Sequence, residues 1–174
     1  MVHFLYRPLL AASISVASFH TGCQLSLTYV SLATIMTTPL PEHVLLAQWK
    51  TSFLRGFHLC PTSSFFAGGC LLINALLTYF LAEGNQWGRI RTLLLSAAFI
   101  LSLVPYTLSI IVPLEKVLLK KEAQYRTKPR AEKDEGGNAT SLVETKALLV
   151  KFGKLNYVRT LLPLLGAVTA WFAW

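Results

Sequence analysis

Thr92–Leu114 reads TLLLSAAFILSLVPYTLSIIVPL and carries no charge over its whole length. About 20 apolar residues are enough to cross ~30 Å of hydrocarbon as a helix, so this stretch predicts a membrane span. Three further charge-free stretches accompany it: Leu9–Met36, Phe65–Ala82 and Thr160–Trp174. The last is short, roughly 22 Å as a helix, but Arg159 at its border can snorkel and lengthen it. Trp171 and Trp174 at its far end suit an interfacial anchor. The spans are therefore read at about 9–36, 65–82, 92–114 and 158–174. The fold class that follows is all-α: a four-transmembrane-helix bundle forming one membrane domain over 1–174.

Composition agrees. The chain is 53% hydrophobic and 14% charged, and its mean hydropathy is +0.51. A soluble domain of this size cannot keep that much apolar surface dry. The first stretch has a short n-region with Arg7 and small residues near Ala17, as a secretory leader would. Its apolar run continues well past a usual leader core of about 7–15 residues, which favours a retained span.

Charge gives a direction. Ten of the sixteen Lys and Arg residues lie between Glu115 and Tyr157, and Lys50 and Arg55 lie in the first loop. The positive-inside rule then puts the first and third loops in the cytosol and both termini in a lumen or outside, in a multi-pass protein of an endomembrane. The basic third loop reads as a topology signal and a partner for anionic membrane lipid. No nucleic-acid-binding motif accompanies it, so nucleic acid is not an expected partner.

Along the chain, Ser15, Ser18, Gly22 and Ser26 recur at helical steps, a pattern that lets a neighbouring helix approach closely. His20, Gln24 and Thr28 form a polar line on another side of the same helix, and such groups must face protein or a wet cavity. That line serves either as interhelical glue or as a ligand-facing surface. Pro39 and Pro41 end the first span. Glu42–Phe57 mixes charges with apolar residues and predicts an interfacial helix in the first loop, with Gly56 near its cap. Pro61 and Ser63-Ser64 then start the second span, leaving His58 at the membrane boundary. Asn74 and Thr78 lie one turn apart and predict hydrogen bonds across helices. Pro105 interrupts the third span and Pro113 ends it, with Ser102, Tyr106 and Ser109 beside the kink; the kink either opens a pocket or only packs. Residues 127–140 read as a flexible insertion. Asn138-Ala139-Thr140 within it is a glycosylation sequon, which the expected topology keeps in the cytosol and disfavours.

The polar pair at the fourth span carries the most functional information. Asn156 and Arg159, in KFGKLNYVRTLLPLL, are three positions apart and so share a helix face. They suit a ligand, a cap or phospholipid headgroups. Chemistry that would need a motif is missing. His3, His20, His43 and His58 lack metal-ligand spacing, so no metal is expected. No dinucleotide, phosphate-loop or nucleophile-elbow motif occurs, so no cofactor is expected. Cys23, Cys60 and Cys70 are odd in number and form no CxxC, which disfavours disulfide redox work.

Three motifs now stand in order: QWKTSFLRGFHLCP (Trp49, Gly56, Pro61), VPYTLSIIVPLEKVL (Pro105, Tyr106, Thr107, Pro113) and KFGKLNYVRTLLPL (Leu155, Asn156, Arg159). With these the chain resembles the anthrone oxygenase-like family, small four-helix membrane proteins of aromatic polyketide pathways. It departs from that family's usual pattern in two places. Leu114-Glu115 stands where a Thr-Asn pair is usual, and the tryptophan common before the Leu-Asn pair is replaced near Phe152.

The resemblance implies a cofactor-independent monooxygenase that oxidises an anthrone to an anthraquinone with dioxygen. Such a reaction needs a flat apolar site, a base and a group that stabilises an oxyanion. Chemistry and placement nominate His58 or His20 as the base and Arg159 with Asn156 as the oxyanion holders. Trp49 and Tyr106 would stack on the rings, with Asn74 and Gln24 as further substrate-binding residues. The competing reading is a non-enzymatic four-helix scaffold or a lipid or small-molecule carrier.

Overall fold

The computed structural model describes residues 3–82, 84–127 and 139–174, apart from the side chains of 3–5, 57–59 and 139. Four long helical rods make up the described residues, and no strand occurs among them. The first, α1, is His3–Ser26, continued without a break by a π-helical turn, Leu27–Leu32, and by Ala33–Thr37. The second, α2, is Glu42–Leu81. The third, α3, comprises Trp87–Leu101, Leu103–Tyr106, a second π-helical turn at Thr107–Ile111, and Val112–Thr127. The fourth, α4, is Ala139–Trp171. Both α1 and α3 pack against α2 and α4, so α1 and α3 face each other across the diagonal of a four-rod bundle.

Two of the rods, Glu42–Leu81 and Trp87–Thr127, are long and apolar enough to cross a membrane. The outside of the bundle is apolar on all four. Phe19 and Tyr29, Phe66 and Phe80, Leu95 and Leu108, and Leu161 and Phe172 all lie exposed. The inside holds a polar layer between two apolar ones. One apolar layer is built of small residues, with Ala17, Ala67, Ala97 and Ala170 around Leu71 and Leu93. The other holds Leu45, Leu46, Trp49, Leu118 and Leu149. Close approach is visible where Ser96 Oγ donates to the Gly166 carbonyl at 2.5 Å, drawing α3 against α4.

Several expectations from sequence need correction. The interfacial helix and the second span are one helix: α2 runs 40 residues through both Gly56 and Pro61. At ~1.5 Å per residue it is roughly 60 Å long, about twice the hydrocarbon thickness. Gly56 is no cap. A β-carbon there would stand 2.7 Å from Leu27 Cδ1, so glycine serves as a notch for that leucine. Ser63 and Ser64 do not open a helix either; both hydroxyls donate back to the Cys60 carbonyl at 3.0 Å. Pro113 does not end α3, because it falls in the first turn after a π-helical turn, where a missing N–H is tolerated. The small-residue stripe Ser15, Ser18, Gly22 and Ser26 faces outward, and the polar line is the side that turns in. Burying that line satisfies its hydrogen bonds, which outweighs close backbone approach. Asn138 and residues 128–137 of the expected insertion lie outside the described residues.

The basic end of the bundle is tied by side chains. Glu42 at the start of α2 accepts hydrogen bonds from Tyr125 Oη of α3 and from Ser141 Oγ and Thr145 Oγ1 of α4. Lys50 pairs with Glu122 at 2.6 Å and Lys121 with Glu144 at 2.5 Å. Burial, then the contact with Glu42, pushes the Tyr125 phenol above its usual range, so it remains a donor.

Candidate active site

The polar layer is where α1, α2 and α4 leave a slot. Its walls are Gln24, Leu32 and Ile35 from the α1 rod, then Trp49, Phe53, Gly56 and Cys60 from α2. Phe152, Asn156 and Arg159 of α4 close it. Helical spacing puts each set on one face: 49, 53, 56 and 60 repeat at three- and four-residue steps, as do 152, 156 and 159. As it stands the slot has about 30 Å³ free, room for a water or two. It is stoppered by rings. Trp49 stacks on Phe53 with centroids 5.4 Å apart and meets Phe152 edge-on at 5.6 Å. Two shallow grooves adjoin it along the seam between α1 and α2. One of about 440 Å³ shares Leu27, Gly56 and Cys60 with the slot, and one of about 630 Å³ shares Ser31, Ile35 and Ser52.

Three buried polar atoms of the slot residues have no hydrogen-bond partner among the described residues: Trp49 Nε1, Asn156 Oδ1 and Arg159 Nε. Buried polar atoms are nearly always paired, so this cluster offers two donors and one acceptor to a guest. Asn156 is fixed by its other end, since Nδ2 donates to Thr28 Oγ1 and to the Gln24 carbonyl. Arg159 is only 6% exposed, so it does not snorkel to a headgroup. Cys60 of α2 shares the slot lining with it.

His20 stands one side chain behind the slot. Its Nδ1 lies 2.7 Å from Ser63 Oγ and 3.2 Å from Ser64 Oγ, whose own protons are spent on the Cys60 carbonyl. With both serine protons on that carbonyl, Nδ1 is the nitrogen that carries the imidazole proton. That leaves the Nε2 lone pair toward Gln24, whose Nε2 sits 3.3 Å away and also donates to Cys60 Sγ at 2.8 Å. The network thus presents a neutral imidazole with its basic nitrogen on the slot side.

Of the residues nominated from sequence, Gln24, Trp49, Asn156 and Arg159 meet at the slot, with His20 adjacent. Tyr106 does not line it; its hydroxyl donates to the Leu155 carbonyl at 2.9 Å and ties α3 to α4. Asn74 lies elsewhere, donating to the Tyr6 carbonyl at 2.8 Å, while Thr78 bonds back within α2. Through Nδ2 the Asn74 amide ties α1 to α2 outside the slot, while its Oδ1 has no partner among the described residues. The His58 side chain lies outside the described residues. Sequence reasoning missed Cys60, Phe53 and Phe152 as slot residues, although their helical spacing from Trp49 and Asn156 was a usable signal. Among the described residues no group of three His, Cys, Asp or Glu side chains is arranged to hold a metal.

The family model described as anthrone oxygenase matches residues 49–169, from the slot tryptophan to the last turns of α4. This chain belongs to the anthrone oxygenase family. Among its relatives, "Anthrone oxygenase AgnL2" of Paecilomyces divaricatus is 26% identical over 91% of this chain and 90% of its own. "Noranthrone monooxygenase" of Aspergillus flavus is 26% identical over 90% of this chain and 68% of its own. "Anthrone oxygenase tpcL" of Aspergillus fumigatus is 25% identical over 91% and 88% respectively. No solved structure matches the chain. The anthrone oxygenase resemblance carried by the three motifs is thereby shown. The protein is an oxygenase, which sets aside the scaffold and carrier reading.

Proposed function

We infer that this anthrone oxygenase family member is a membrane-embedded, cofactor-independent monooxygenase that converts an anthrone to an anthraquinone with dioxygen in aromatic polyketide biosynthesis. The observation that carries the reading is the coincidence of family membership with three unpartnered polar atoms in a slot stoppered by aromatic rings. The apolar outer face and the two long apolar rods support a site inside a bilayer. All four rods cross it in this reading, with the first and third loops cytosolic.

The chemistry asks little of the protein. The methylene of a hydroxylated anthrone is acidic for carbon because its anion is aromatic. His20 Nε2 takes that proton once Gln24 turns aside, and the electron pair stays on the ring system as an enolate. Arg159 and Trp49 donate N–H groups to the enolate oxygen, the first as a charge-assisted hydrogen bond, and Asn156 Oδ1 accepts from a ring hydroxyl. The enolate passes one electron to dioxygen; the two radicals join as a carbon-bound peroxide, which takes up the proton. Loss of water, breaking the O–O bond and the remaining C–H bond, leaves the quinone carbonyl. One oxygen atom enters product and one leaves as water. Because the slot is nearly closed, entry requires Trp49, Phe53 and Phe152 to part, which also keeps bulk water from the anion.

Oxygen uptake by membranes holding the protein, with an anthrone as substrate and empty membranes as the blank, tests the reading. Uptake well above the blank is expected, and His20→Gln should lower it by about 10²-fold. Uptake equal to the blank would refute the proposed activity.

A further inference from the structure

Leu27, Gly56 and Cys60 line both the slot and the groove of about 440 Å³ on the α1–α2 seam. These three residues are therefore the partition between the two spaces. Gly56 has no side chain and Cys60 a small one, so the bulk of the partition is the Leu27 side chain. It lies over bare backbone: a β-carbon at Gly56 would stand 2.7 Å from Leu27 Cδ1. Leu27 also opens the π-helical turn Leu27–Leu32, a form that recurs at functional sites. That turn is anchored from α4. Asn156 Nδ2 donates to Thr28 Oγ1 and to the Gln24 carbonyl, and Leu32 Cδ2 lies 2.7 Å from where Gly153 would carry a β-carbon. None of these anchoring residues lines the groove. The Leu27 side chain can thus turn aside while its rod stays in place.

The lining of the groove says what it would take up. Phe19, Gly22 and Ser26 are exposed on the outer face of α1, the face that meets hydrocarbon when the bundle lies in a bilayer. The groove's volume falls within the ~300–1,000 Å³ of small-molecule sites. Arg55 is its one charged side chain and offers donors to a ring hydroxyl. The other groove that joins the slot carries Thr34, His43, Gln48 and Thr51, which suit water better than a poorly soluble ring. The apolar groove between α2 and α3, around Tyr79 and Trp87, shares no residue with the slot. We propose that the α1–α2 groove is a lateral port, where a flat aromatic substrate rests after leaving the hydrocarbon and from which it passes Leu27 into the slot. Parting of the aromatic rings makes the room inside, and Leu27 sets the side from which that room is filled. This inference rests on the membrane oxygenase reading above.

Trp49 lines the slot and not the groove, so its fluorescence reports arrival. In a Trp87→Phe/Trp171→Phe/Trp174→Phe background it is the one tryptophan left. Vesicles holding this protein are mixed with vesicles loaded with anthraquinone, a planar quencher that does not turn over. Leu27→Ala should speed the quenching by about 10-fold, since it deletes most of the partition, and Gly22→Phe should slow it by about 10-fold with the same final level. Nothing lies within 4 Å of a β-carbon at Gly22, so the new ring fills the groove without disturbing the packing, and this variant should fold even if Leu27→Ala does not. Gly88→Phe, equally open but at the start of α3, should leave the rate unmoved. An unaltered rate in either folded groove variant, or equal slowing by Gly88→Phe, overturns the port. An unaltered protein whose Trp49 anthraquinone does not quench counts against the functional reading instead. Dioxygen, a small quencher that also dissolves in hydrocarbon, then decides on the port: quenching of Trp49 should still rise in Leu27→Ala and fall in Gly22→Phe, and unmoved quenching overturns it.

Discussion

Glu42 and Glu115 are each 4% exposed, yet they live in opposite circumstances. Glu42 gathers hydroxyls from Tyr125, Ser141 and Thr145, so three rods are tied through one carboxylate at the basic end. Glu115 leaves an oxygen unmatched, one rod away from a slot where an indole N–H, an amide oxygen and a guanidinium N–H are unmatched as well. The same chain can satisfy a buried carboxylate when only cohesion is asked of it. At the slot the unmatched atoms are the ones the proposed chemistry would turn to a guest.

That contrast can be broken by substitution at either end. Arg159→Ala should have the largest effect, a drop of about 10²–10³-fold in anthrone-dependent oxygen uptake, while thermal unfolding in detergent moves little. A large loss of stability with normal uptake per folded molecule would assign Arg159 to cohesion instead. Glu42→Ala should do the reverse. It strands three hydroxyls, so unfolding should become easier by about 3 kcal/mol, with uptake per folded molecule unchanged. Tyr125→Phe removes one of those donors and should cost about 1–2 kcal/mol on the same measurement. Trp49→Phe keeps a ring in the stack and removes only the indole N–H, so a rise in KM of about 5–10-fold is the smallest expected change. If Trp49→Phe instead destabilised the bundle as much as Tyr125→Phe, the indole would belong with the clasp.

Much of the bundle was legible because hydrophobic runs report burial or lipid directly. The apolar stretches lie within the four rods, and the Pro39-Pro41 pair does end the first one. What failed were the punctuation marks inside helices. Gly56, Pro61 and Pro113 read as boundaries because soluble helices usually stop there. Here a leucine of the neighbouring rod fills the notch at Gly56, serine hydroxyls of the same rod reach the Cys60 carbonyl beside Pro61, and a π-helical turn precedes Pro113. The site was half legible. Asn156 with Arg159, and His20 with Gln24, announce themselves as polar groups at helical spacing in apolar sequence. The roles of Tyr106 and Asn74 were not readable, since whether a polar side chain meets a guest or a carbonyl depends on which rod stands opposite. Glu42 and Glu115 were equally hidden, because their burial is set by partners far along the chain.

The π-helical turn at Leu27–Leu32 is seated at both ends. Leu27 occupies the notch at Gly56 on α2, and Leu32 Cδ2 lies 2.7 Å from where a β-carbon on Gly153 of α4 would be. Two leucines sunk into two bare backbones act like pegs that fix the spacing of three walls. The gap they hold is gauged by main chain, which does not yield as side chains do. On the proposed reading, such a gap would favour a planar aromatic, about 3.5 Å thick, over a puckered or branched molecule of equal polarity.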